Sequence, residues 1–109
     1  MEPYVKDALL EWKEEIENQK KEIDEEYKKV KLELQLYSFK YGITKQVIQS
    51  TINEEMINNI KSTYQKPFEE KYNKLKQQLK KLEDKRSVFN MFVEKIENAS
   101  EKEQNHDKA

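Results

Sequence analysis

"SFKYGITKQVIQSTIN", residues 38–53, holds Gly42, the only glycine in the chain. On both sides run long stretches of Lys, Glu, Gln and Leu, which are good helix formers. A lone glycine between two such stretches reads as the end of one helix and the start of a bend, since glycine enters a left-handed backbone without penalty. Thr44 can then cap a short helical turn over 45–50. Thr51 and Glu54 fit a reciprocal capping box, which starts the next helix near Ile52. The stretch therefore predicts a compact connector over 42–51.

Upstream, Glu2-Pro3 is a good helix opening, because proline at the first helical position loses no needed N–H. Apolar residues then recur in threes and fours at Val5, Leu9, Trp12, Ile16, Ile23, Tyr27, Val30, Leu34, Tyr37 and Tyr41, broken only at Gln19 or Lys20. That is an amphipathic helix over 4–41. Val5, Ile23 and Tyr41 stand 18 residues apart, five turns of a straight helix rather than a heptad repeat. A strand reading competes between residues 30 and 43, where Val30, Leu32, Leu34 and Leu36 alternate with polar residues. Helix is preferred because the upstream stripe continues in phase.

Downstream, Met56, Ile57, Ile60 and Tyr64 lead to Pro67, which removes a backbone donor and kinks or breaks the second helix there. Beyond it the pattern tightens into heptads through Phe68, Leu75, Leu82, Phe89 and Ile96, with Tyr72, Leu79, Arg86 and Val93 between. Only Arg86 is out of character. The second helix is placed at 52–97, and residues 98–109, without periodicity, are expected to be a disordered tail.

The fold class that follows is all-α: a long antiparallel, coiled-coil-like helical hairpin with a short helical connector, dimerising into a helical bundle. The 109 residues make one small domain, and 39% of them are charged. Net charge is only −1 but unevenly spread, with eight acids and three lysines in 11–26 and seven bases and two acids in 71–86. Joining the arms at 41 and 52 sets residues 11–26 beside 67–82, so the two blocks neutralise each other. Each exposed pair is worth only ~0–1 kcal/mol, but the sign pattern disfavours other registers.

That register also gathers large apolar residues at the open end of the hairpin. Tyr4, Leu9, Trp12, Phe89, Met91, Phe92, Val93 and Ile96 are the candidate self-association or partner surface. A two-helix core is one layer deep and marginal alone. Burying a large side chain contributes ~1.5–3 kcal/mol, against ~1–2 kcal/mol of backbone ordering per residue. A homodimer, a helical protein partner, or a three-helix fold made by a kink at Pro67 would relieve the deficit.

Several functions find no support. The chain has no cysteine and one histidine, His106, which falls in the expected tail. No phosphate loop, Ser/His/Asp set or metal-ligand spacing is present. The reading is non-enzymatic, with no catalytic, cofactor or metal residues. No apolar run approaches the ~20 residues of a membrane span, and acids occupy the N-terminus where a signal peptide needs bases. A cytoplasmic protein without membrane contact is expected.

One segment supports a different role. Ser38 stands four before Gly42, Ile43 and Thr44 follow it, Ile48 comes six after, and Ile52 lies near the end. Residues 34–52 thereby resemble a helix-turn-helix segment of bacterial and phage regulators. The resemblance implies a small DNA-binding regulator with a long helical dimerisation arm. Thr44, Lys45, Gln46 and Gln49 would then face the major groove, where amide and cationic side chains suit base edges and phosphates. The leading expectation remains a helical protein–protein interaction module, the design used by small adaptors, anti-regulators and accessory proteins of mobile elements.

Overall fold

The structure is a computed structural model that describes residues 1–108, with side chains through residue 101. Its order is α1 (Pro3–Gln49), α2 (Glu54–Ile60), a five-residue π turn (Lys61–Gln65) and α3 (Lys66–Lys108). The fold is all-α, a long helical hairpin, with no strand among the described residues. It divides into two compact units, one of residues 1–26 and 82–109, the other of residues 27–81.

The first helix does not stop at Gly42. α1 runs on for two more turns to Gln49, and Gly42 keeps a negative φ. The hydroxyls explain the true end. Thr51 Oγ1 donates to the Val47 carbonyl at 2.6 Å, and the Ser50 and Thr51 amides donate to Gln46, Val47 and Ile48. Groups left open by the last helical turn are thus met by Ser and Thr. The connector is residues 50–53, shorter than expected and without its own helix. Asn53, not Thr51, caps α2: its side-chain oxygen accepts from the Met56 amide at 3.0 Å.

Pro67 neither breaks the second arm nor ends it. Proline cannot donate to residue 63, and the helix widens just before it, with the Lys66 amide donating to the Lys61 carbonyl five residues back. One extra residue is absorbed in that wide turn. Consequently half-buried Ile60 is followed by half-buried Gln65, while Tyr64 is turned outward. α3 also passes residue 97, where a tail was expected, and Ser100 is buried on its inner face. The side chain of His106 lies outside the described residues.

In the unit of residues 27–81, Val30 and Leu75 are the most buried apolar side chains, flanked by half-buried Tyr37, Tyr41, Phe68, Tyr72 and Leu79. Tyr37 and Phe68 meet edge to face at 6.0 Å. In the other unit Ile16, Leu82 and Ile96 are buried. The inward positions of α1, from Leu9 through Lys13, Ile16, Lys20, Ile23, Tyr27, Val30 and Leu34, alternate steps of four and three. That is a heptad seam, not the 18-residue straight repeat. Lys13 and Lys20 occupy seam positions, and Val5 and Trp12 do not.

Candidate interaction site

Three contacts set the pairing of α1 and α3 in the unit of residues 1–26 and 82–109. Trp12 meets Phe92 edge to face at 5.9 Å. Lys13 Nζ lies 2.9 Å from Glu97 Oε1. Arg86 Nε donates to Asp24 Oδ1 at 2.7 Å. From Lys13–Glu97 to Asp24–Arg86 the numbers rise along α1 and fall along α3, so the helices are antiparallel. The expected register, with 11–26 beside 67–82, is wrong by several turns. It assumed that the bend begins at Gly42, and α1 continues for seven residues more. The acidic block therefore does not lie along the basic block. It is joined to α3 by individual pairs, one of which uses a lysine of the acidic block.

Those pairs have distinct chemistry. The Glu97 carboxylate, by hydrogen bond and by charge, holds the Lys13 ammonium above its ordinary value of 10.5, with Glu17 at 3.7 Å adding to it. Arg86 occupies a seam position, where a polar group fixes register at some cost in stability. Its partner Asp24 is half-buried, as it is itself.

At the open end of this unit the two helices border an apolar groove of about 450 Å³. α1 contributes Leu9 and Trp12, and α3 contributes Val88, Met91, Phe92, Ile96 and Ala99, with Lys95 among the lining residues. The heptad seam explains the groove. Phe89, Val93 and Ile96 point inward along α3, so Val88, Met91 and Phe92 fall on the flank and stay open to solvent. Trp12 remains 43% exposed and Met91 49%. Phe89 and Phe92 touch at 6.1 Å and join seam to groove.

Of the residues expected at the surface cluster, Leu9, Trp12, Met91, Phe92 and Ile96 line this groove. Phe89 and Val93 sit half-buried in the seam, and Tyr4 is 81% exposed outside the lining. Val88, expected beside Trp12 at the open end, lines it too, whereas Lys95 and Ala99 were not anticipated. Their signal was the heptad phase, which assigns them to the flank of α3.

The residues matched to a helix-turn-helix lie within α1 as far as Gln49, and no turn occurs at Gly42. Thr44 is buried, its hydroxyl donating to the Lys40 carbonyl at 2.7 Å. Lys45 Nζ lies 4.9 Å from the centre of the Tyr41 ring, and Gln46 and Gln49 are exposed. Among the described residues no group of three or more metal-ligating side chains gathers, and no helix is long and apolar enough to cross a membrane. Comparison with protein-family models, with curated proteins and with solved structures finds no match to this chain.

Proposed function

We propose that the chain is a non-enzymatic protein-interaction module whose groove beside Trp12 and Phe92 receives an amphipathic helix of a partner protein. The supporting observation is the half-exposed Trp12–Phe92 pair beside an open apolar groove. Large aromatic side chains left in water forgo much of their burial energy, and a docked helix restores it. A groove between two helices suits apolar anchors spaced three and four residues apart. Lys95 among the lining residues favours an acidic residue beside those anchors.

Trp12 is the chain's single tryptophan, so its emission reports occupancy of the groove. A helical peptide with leucine anchors and glutamate flanks should shift Trp12 emission to the blue and saturate. The same peptide with lysine flanks should bind more weakly, and Lys95→Glu should reverse that order. Binding that ignores both Lys95→Glu and Met91→Glu, or no spectral change with either peptide, contradicts the proposal.

A further inference from the structure

A second apolar face lies on α1 within the unit of residues 27–81. Leu32, Leu36, Phe39, Ile43 and Val47 follow one another at steps of four, three, four and four, and all are exposed, Leu32 to 67% and Phe39 to 62%. They lie on the side of the helix turned away from Val30, Leu34, Tyr37, Tyr41 and Thr44, which form its inward seam. We infer that this stripe is a self-complementary interface on which a second copy of the chain docks antiparallel.

Four observations point to a second copy. First, the stripe is nearly palindromic about the Phe39–Lys40 bond. An antiparallel copy sets Val47 against Leu32 and Ile43 against Leu36, with Phe39 of each chain at the axis. Such an isologous arrangement is the one by which a single patch meets itself. Second, Lys28, Lys31, Leu32 and Gln35 line a hollow of about 290 Å³. Their spacing is the four-residue hole into which a coiled-coil knob inserts, and the knob that the palindrome delivers is Val47 of the second copy.

Third, charge selects the direction. A parallel pairing would set Lys28, Lys29 and Lys31 beside the same lysines. The antiparallel pairing sets them beside residues 48–51, which carry no charge. Lys40, near the axis, is engaged in its own chain, 4.7 Å from the Tyr37 ring centre and 5.5 Å from that of Phe68. Fourth, Gly42 borders Ile43 and Phe39, and a Cβ there would meet nothing within 4 Å. Glycine inside a helix costs roughly 1 kcal/mol relative to alanine. Nothing in the single chain requires that cost, whereas a helix approaching beside Phe39 uses the space. The five side chains present on the order of 500 Å² per copy, so pairing removes about 1,000 Å², the size at which specific interfaces begin.

Sedimentation equilibrium of the full chain at about 100 μM tests the inference, a concentration at which even a micromolar dimer is mostly formed. The native chain should be dimeric. Ile43→Glu and Phe39→Lys, both at exposed positions, should give monomers of unchanged helicity, and Gly42→Leu should weaken association by about tenfold or more. Met91→Glu, in the groove, should stay dimeric, which separates this interface from the docking groove. Nitroxide labels at Ser38 should give an intermolecular distance shorter than labels at Gln49 by about 20 Å, given ~1.5 Å of rise per residue on each chain. A monomeric native chain, a dimer untouched by Ile43→Glu and Phe39→Lys, or equal distances at the two labels overturns the inference.

Discussion

Gly42 carries the widest gap between what its residue type suggests and what its backbone does. Glycine is the usual way out of a helix, but its left-handed conformation is an option rather than an obligation. Here the helix continues through it because the inward sequence does not change. Tyr37, Tyr41, Thr44 and Ile48 keep the spacing of the seam across the glycine. The termination falls instead to Ser50 and Thr51, whose hydroxyl and amides satisfy carbonyls of the last turn. In the monomeric Ile43→Glu background, Gly42→Ala should therefore raise stability by about 0.5–1 kcal/mol, the helix-propensity difference, since the added methyl meets open space. Thermal unfolding followed by circular dichroism measures it, and a loss of stability would mean that position 42 is a bend.

At the scale of the helix, Arg86 shows how one polar seam residue trades stability for register. Its guanidinium reaches Asp24 at 2.7 Å while its neighbours on the seam are Leu82 and Phe89. Arg86→Leu should raise thermal stability, by about 1 kcal/mol for the apolar surface gained. It should also loosen the pairing, broadening the distribution of distances between α1 and α3 that spin labels report. A destabilised variant with an unchanged distribution would assign Arg86 to stability rather than to register.

How much of these elements was legible in the residues depends on which signal each one emits. The heptads of α3 and the helical nature of α1 were readable from apolar spacing alone. The strand-like alternation between residues 30 and 43 was real but meant something else. Val30 and Leu34 face the seam while Leu32 and Leu36 face solvent, so two apolar stripes on one helix imitate a strand. The π turn was not readable, because Pro67 announces a disturbance without saying that one inserted residue will absorb it. The groove was half legible, since its aromatic residues stand out in composition but its flank residues depend on heptad phase.

For the molecule as a whole, register determines what the surface can do. The position of the bend decides which α3 residues lie beside Trp12, and hence which side chains form the groove. A bend at Gly42 would place Asp84 near Glu11. The observed pairing of Trp12 with Phe92 and of Lys13 with Glu97 places Lys95 there instead. Thus an error in the register of α1 against α3 becomes a different binding surface, although the fold class is unchanged.

The most direct measurement is a pair of distances by pulsed electron resonance, made possible because the chain has no cysteine of its own. Nitroxide labels on Glu11→Cys with Lys95→Cys should lie close together. Labels on Glu11→Cys with Asp84→Cys should lie farther apart, since positions 84 and 95 are separated by about 16 Å along a helix that rises ~1.5 Å per residue. The reverse order would contradict the register and with it the groove.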